Sequence, residues 1–318
     1  MRQLVVISGK GGTGKTSLVA SFAALAESAV LADCDVDAAD LHLVVQPSLV
    51  TREDFLGGKC ATIDCERCTD CGICEDLCRL NAIGPSSLGL DSEPGNLTVD
   101  PIACEGCGVC AWFCAEGAID LVPTTDGEWS LSETRFGPMV HARLGPAGEN
   151  SGKLVSLLRS EAQKVATSRN MELVIVDGAP GIGCPVIASI TGADLVLIVT
   201  EPTLSGLHDL ERVIQLTNHF SIPTMMVVNR FDVNEEIATR AEKHAQRLGA
   251  GLAGRVRFDP AVTQAQIRAM PVVEHSNNGA AADINAVWKN VVRVFDGEEL
   301  RITKDSRDGK ETTFGTAG

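Results

Sequence analysis

Near the N-terminus, Gly9-Lys10-Gly11-Gly12-Thr13-Gly14-Lys15-Thr16 has the composition of a phosphate cradle. It fits the spacing G-x4-G-K-[ST]. Glycines let backbone N–H groups curl around a phosphate chain, and a following helix adds its positive N-terminal end. In such a loop Lys15 reaches the β- and γ-phosphates and the Thr16 hydroxyl binds Mg2+. Ser17 completes the candidate nucleotide-binding segment. Two acidic positions belong to the same chemistry. Asp33-Cys34-Asp35-Val36-Asp37 follows a short apolar run, where a carboxylate can orient an attacking water or hold Mg2+ through water. Met171-Glu172-Leu173-Val174-Ile175-Val176-Asp177 is a second apolar run ending in an acid, which makes Asp177 a further Mg2+ candidate.

A different chemistry is written in the cysteines. Cys68-x2-Cys71-x2-Cys74-x3-Cys78 is followed by Cys104-x2-Cys107-x2-Cys110-x3-Cys114. This is the spacing of a two-cluster bacterial-type ferredoxin, in which the fourth cysteine of each run ligates the other cluster. One [4Fe-4S] cluster is therefore expected on Cys68, Cys71, Cys74 and Cys114, and the other on Cys104, Cys107, Cys110 and Cys78. Gly72, Gly106 and Gly108 suit the tight turns that gather three thiolates on one cubane face. Each run ends alike, in Asn81-Ala82-Ile83 and Gly117-Ala118-Ile119, as a duplicated fold would. Structural zinc normally uses paired Cys-x2-Cys knuckles across a longer loop, and disulfides do not suit a cytoplasmic chain. The proline that usually follows the fourth cysteine is here Arg79 or Ala115. Cys60 and Cys65 precede the first run, and Cys65 leaves an alternative register open. Cys34 reads as a small buried residue at a strand end.

These groups need elements to position them. Short apolar runs at 4–8, 29–32, 173–176, 195–199 and 224–228 alternate with helical patterns at 16–27, 153–167, 204–219 and 234–248. That alternation predicts an α/β fold, an open and mostly parallel doubly wound sheet with helices on both faces. The chain has 318 residues, more than one hydrophobic core usually organises, so a second unit is expected. Residues 57–125 supply it. They hold ten of the twelve cysteines, with eleven acidic residues against three basic ones. The expected division is a discontinuous nucleotide-binding domain at 1–56 and 126–300, a small inserted α+β ferredoxin-like domain at 57–125, and a polar tail at 301–318.

Composition excludes several roles. Apolar residues make up 44 % and charged residues 22 %, which rules out wholesale disorder. No apolar run approaches the ~18–20 residues that cross a bilayer, and no secretory leader is legible, so a cytoplasmic location without membrane insertion is expected. A net charge of −15 without a basic cluster predicts no nucleic-acid partner.

Lys10 makes the loop more specific. Lys10-Gly11-Gly12-Thr13-Gly14-Lys15-Thr16 resembles the deviant P-loop (Walker A) of the MinD/ParA superfamily of P-loop NTPases, which includes nitrogenase iron protein and iron–sulfur carrier ATPases. The resemblance extends over most of the chain, through Arg135-Phe136-Gly137-Pro138-Met139-Val140, Gly148-Glu149-Asn150-Ser151-Gly152-Lys153 and the segment from Thr200 to Leu210. It implies a homodimer, or a heterodimer with a similar ATPase, that sandwiches ATP or ADP with Mg2+. It further implies that Lys10 crosses to the partner's nucleotide and that Lys10, Lys15 and Asp35 are catalytic, with Asp35 positioning the water. Thr16, Asp35 and Asp177 would hold Mg2+, Gly178 to Gly183 would be the switch segment, and Asn229 beside Arg230 would contact adenine. Cys184 resembles the cysteine through which nitrogenase iron protein subunits share a cluster, although the companion cysteine is missing between Cys114 and Asp177. The expected function is ATP hydrolysis that gates electron transfer through the clusters to a redox or metallocluster protein; the alternatives are a carrier that delivers iron–sulfur clusters and a positioning ATPase.

Overall fold

The computed structural model describes residues 1–85, 97–145 and 150–297. The polar tail expected at 301–318 and the Gly148-Glu149 pair lie outside the described residues. The chain opens with β1 (Arg2–Ser8), α1 (Lys15–Leu25), β2 (Val30–Asp33), the short α2 (Leu41–Val45) and the long β3 (Ser48–Ile63). The cysteine-rich stretch holds α3 (Ile73–Leu77), β4 (Ile83–Pro85), β5 (Leu97–Val99) and α4 (Val109–Phe113). β6 (Ile119–Thr134) and β7 (Gly137–Leu144) lead back into α5 (Ser151–Ser168), β8 (Leu173–Pro180), α6 (Cys184–Ile190), β9 (Leu195–Thr200) and α7 (Leu204–His219). The remainder is β10 (Thr224–Asn229), α8 (Glu235–Arg247), β11 (Gly251–Val256), α9 (Pro260–Ile267), α10 (Val272–His275) and α11 (Ala280–Phe295).

Among the described residues the main sheet has nine strands in the order β11-β10-β9-β1-β8-β2-β7-β6-β3. Pairing is parallel from β11 through β7, and antiparallel from β7 to β6 to β3. The central strands are aliphatic along their length because helices cover both faces. Leu4, Val5, Val6 and Ile7 are all fully buried. Leu154 and Leu158 of α5, Ile190 of α6, Val213 of α7 and Ala241 of α8 pack on one face. Phe22 of α1, Leu41 of α2, Ala265 of α9 and Ile284 and Trp288 of α11 pack on the other. Helix starts are fixed locally. Thr203 accepts from Gly206 N ahead of α7, Asn234 from Ile237 N ahead of α8, and Asp259 from Ala261 N ahead of α9.

β3 and β6 form an antiparallel arm that pairs from Ser48 opposite Glu133 to Ile63 opposite Ile119. Both strands run unbroken past residues 57 and 125, so the change in composition there falls inside paired strands, not in linkers. The described residues of 64–118 sit at the arm's far end, around the small β4–β5 sheet. Their core is small: Ala61, Cys74, Ile83, Leu97 and Ile119.

Candidate functional site

At the carboxyl ends of β1, β2 and β8 one cation meets three acids. Lys15, the first residue of α1, points its Nζ at Asp177 Oδ1 in a close hydrogen-bonded ion pair and lies 3.1 Å from Asp35 Oδ2. Lys15, Asp33, Asp35 and Asp177 are all buried. Burial alone would lower the pKa of Lys15, but the charges of Asp177 and Asp35 outweigh it and hold the ammonium well above its usual value. Asp33 is pushed up, first by burial and then by Asp177. Its carboxylate accepts from Asp35 N at 3.3 Å and Leu41 N at 3.2 Å, so it braces the turn that presents Asp35. Burial also raises Asp35, against the pull of Lys15.

Two buried polar atoms beside this cluster, Asp177 Oδ2 and Thr13 Oγ1, have no hydrogen-bond partner. Buried polar atoms are rarely left so, and an acceptor plus a hydroxyl facing a glycine loop suit a metal and a phosphate chain. The donor set therefore fits Mg2+ and a nucleotide.

The rest of the sheet holds the loop in place. Asn229, at the end of β10, donates its Nδ2 to Thr13 O at 2.7 Å. Gly14 has φ +88°, and a Cβ there would come within 2.4 Å of Asn229 Nδ2, so only glycine fits. Gly9 packs equally closely on Asp209 of α7. Ser17 Oγ accepts from Gln266 Nε2 at 2.9 Å. Lys10 is half-buried and pairs with Glu201 Oε2 at 3.3 Å, while Arg230 reaches Glu201 Oε1 at 2.7 Å. The structure thus brings Gly9 to Ser17, Asp35, Asp177, Asn229 and Arg230 into one crevice. Glu201 and Gln266 were not read from the sequence as site residues. Glu201 stands one residue past β9, and the rule that ligands bind beyond the carboxyl ends of parallel strands would have flagged it.

The tip of the arm is built twice. Gly72 (φ +76°) opens α3 and Gly108 (φ +79°) opens α4. Asp64 caps Glu66 N in the first half, as Asp100 caps Ile102 N in the second. Ala82 N donates to Cys78 Sγ, and Ala118 N donates to Cys114 Sγ, each at 3.3 Å. N–H donors of this kind hydrogen-bond the sulfurs of iron–sulfur ligands. One cavity is lined by Cys78, Cys104, Cys107 and Cys110 together with Ala61 and Ile83. In the other set, Cys114 packs on the tip core that contains Cys74. Burial pushes the Cys74 thiol up, and Cys68 lies close enough to add to the effect. Among the described residues no three His, Cys, Asp or Glu side chains gather as ligands of a single metal ion. A cubane spreads its ligands over four irons, and four cysteines lining one cavity are a donor set of that chemistry.

Other cysteines fall elsewhere. Cys34 is fully buried, and burial holds its thiol far above the usual value. Cys60 is buried in β3, with its pKa raised to about 11 by burial and by neighbouring Cys104. Cys65 is exposed. Cys184 is exposed at the first turn of α6, beside Gly152 of α5.

A glycine loop between the first strand and first helix of a parallel sheet, with acids at neighbouring strand ends, defines an α/β nucleotide-binding ATPase of the P-loop class. The family model for the CobQ/CobB/MinD/ParA nucleotide binding domain matches residues 4–272, and the chain belongs to that family. It is an ATPase of the MinD/ParA type. The chain is 32 % identical over 235 residues to the uncharacterized protein MJ0578 of Methanocaldococcus jannaschii, covering 73 % of this chain and 79 % of that protein. It is 24 % identical over 205 residues to the septum site-determining protein MinD of Bacillus subtilis, covering 60 % and 74 %. Its fold is similar to the septum site-determining protein MinD of Pyrococcus horikoshii complexed with Mg-ADP, with a TM-score of 0.54 and 14 % identity over 92 % of this chain and 97 % of that one. Among the described residues no helix is long and apolar enough to cross a membrane.

Proposed function

We propose that this ATPase is a nucleotide-driven dimer switch whose cycle acts on two [4Fe-4S] clusters held at the tip of the β3–β6 arm. The observation that carries the switch is Lys15 Nζ set between Asp35 and Asp177, with Asp177 Oδ2 and Thr13 Oγ1 buried and unpartnered beside it. Mg-ATP, when bound, supplies the phosphoryl group and the metal charge. Lys15 neutralises charge on the β- and γ-phosphates, and the loop N–H groups from Gly11 to Thr16 orient the chain. Thr16 and Asp177 hold the metal, and Asp35 orients the attacking water. Lys10 leaves Glu201 and reaches across to the nucleotide of a second copy, or of a similar ATPase. The glycines of 178–183 let that segment change its backbone on hydrolysis. At the tip, Cys68, Cys71, Cys74 and Cys114 hold one cluster, and Cys78, Cys104, Cys107 and Cys110 hold the other. A redox or metallocluster protein takes or gives the electrons.

A second reading is a positioning ATPase without redox output. The likeness to proteins named for septum-site determination favours it for the nucleotide cycle, while the cysteine spacing and the Cys78–Cys104–Cys107–Cys110 cavity favour the first. Redox titration of anaerobically purified protein, with and without Mg-ATP, separates them. About eight irons per chain and a potential or reduction rate that Mg-ATP changes in wild type but not in Lys15→Ala is the expected result. Full ATP hydrolysis without iron leaves the positioning reading. Iron present with potentials and rates indifferent to Mg-ATP moves the weight to cluster delivery.

A further inference from the structure

The two halves of the tip serve as each other's control. They share their caps, their turns and their cysteine positions, so a residue that differs between them is not required by the shared backbone. The differences run both ways, since exposed Leu80 corresponds to Glu116 and Thr69 to Glu105, but the largest change is the gain of apolar surface around α4. Glu66, Arg67, Glu75 and Asp76 of the first half correspond to Ile102, Ala103, Ala111 and Trp112 of the second. Charged residues at surface positions have become apolar, and they are not tucked away. Trp112 is 85 % exposed and Ile102 is 79 % exposed. Phe113, next to Trp112, is 57 % exposed, and α4 buries none of its residues. An indole left in water on a five-residue helix is costly unless something covers it, and Trp is over-represented at the centres of protein interfaces.

The charge around it limits the occupant. Between residues 97 and 118 there is no Lys or Arg, while Asp100, Glu105 and Glu116 are exposed. Lys59 against Gly106, Arg67 on Gly117 O and Arg79 in the cavity beside Val109 approach from other stretches, but acidic residues outnumber these three by eleven to three over residues 57–125. A second copy docked tip to tip would set like charge against like charge, and an anionic lipid surface would be repelled in the same way. We infer that α4 is the docking surface for a protein partner that presents an apolar recess for Trp112 inside a rim of Lys and Arg. This deepens the function proposed above by naming the output surface, and it rests on the tip being the output element. Trp112 fills the recess and fixes the register, and the surrounding carboxylates steer the encounter. The first half, with Asp76 where the second has Trp112, stays solvated.

The test uses the intact, anaerobically purified protein with cytochrome c as the probe, a basic protein whose lysines ring an exposed haem edge. Wild type is expected to bind cytochrome c at low ionic strength, with affinity falling as salt is added. Trp112→Ala, which removes the indole and leaves the charge of the rim unchanged, is expected to bind at least about tenfold more weakly. Trp112→Phe is expected to recover most of that loss, and Asp76→Ala to stay within about twofold of wild type. Equal binding by wild type and Trp112→Ala, or no binding by wild type, overturns the proposal. So does a Trp112-dependent self-association in sedimentation, which would make a second copy the occupant, or Trp112-dependent binding to phosphatidylcholine vesicles. Iron content and ATP hydrolysis are measured on the same samples. Iron-free protein that still binds through Trp112 keeps the surface and sinks the cluster reading; fully loaded protein with no Trp112-dependent binding does the reverse.

Discussion

The nucleotide crevice and the cysteine-rich tip are built on opposite plans. The crevice stands on a sheet whose strands are buried on both faces, and its charges are paired: Lys15 with Asp177 and Asp35 inside the protein, Lys10 and Arg230 with Glu201 at its rim. The tip has a core of Ala61, Cys74, Ile83, Leu97 and Ile119, and its thiols are exposed or half-buried apart from Cys74. A core that small cannot offset the backbone entropy of the residues around it. The difference teaches where each region gets its order. The crevice is set by packing, whereas under the function proposed above the tip would draw its order from the clusters it holds.

The largest effect that tests this contrast is Lys15→Ala. It removes the cation for the phosphates and leaves two buried carboxylates facing each other. ATP hydrolysis is expected to fall by at least about a hundredfold, read as phosphate release, while iron per chain stays unchanged. Loss of iron in the same variant would break the separation between the regions. Next in size is Cys107→Ser. In the proposed arrangement one cubane would lose a ligand, so iron is expected to fall from about eight to about four per chain, with hydrogen exchange rising in α4 and the β4–β5 sheet. ATP hydrolysis without added partner is expected to persist. A full complement of iron would show that Cys107 is not a ligand and would return the alternative register through Cys65 to consideration.

A third variant sharpens the claim that packing sets the loop. Asn229→Ala removes the hydrogen bond to Thr13 O and the side chain against which Gly14 is fitted. Nucleotide affinity is expected to weaken by about tenfold, the worth of one well-placed buried hydrogen bond, as measured by fluorescent-nucleotide titration. An unchanged affinity would mean that the loop keeps its shape on its own glycines.

How far the sequence speaks follows the same division. β1, α1, β2, α5, β8, β9, α7, β10 and α8 were legible because each carries either a continuous aliphatic run or a helical stripe. The phosphate cradle and the cysteine quartets were legible because their chemistry fixes their spacing. The arm was not. The first seven residues of β3 are exposed, and β6 is mostly half-buried, so neither strand carries the alternation by which a half-buried strand is recognised. Its register comes from the pairing of β3 with β6, which lies 56 or more residues away in sequence at every pair. β11 escaped notice because Gly251 and Gly254 interrupt it, and the ion pairs of Glu201 are tertiary contacts that no local pattern announces.

The smallest effect lies at the seam where the arm joins the sheet. His141 of β7 meets Ser132 Oγ of β6 through Nε2 at 2.9 Å. Burial lowers its pKa below the usual histidine value, and the positive charges of His42 on α2 and Arg52 on β3 lower it further against the opposing pull of Glu128 on β6. The sign follows from linkage. The unfolded chain takes a proton at this histidine near pH ~6.5, whereas the folded chain takes it only at lower pH. Stability from the neutral ring is therefore present above about pH 6.5 and is lost as pH falls through that value toward the folded pKa. His141→Gln keeps a partner for Ser132 but has no proton to take up. Thermal midpoints measured from pH 7.5 to pH 5.5 are expected to fall more steeply in wild type than in His141→Gln, by roughly one to a few degrees, since the ring is only part-buried. Parallel curves for the two proteins would mean that the seam is solvated and that the arm leans on the sheet without being packed into it.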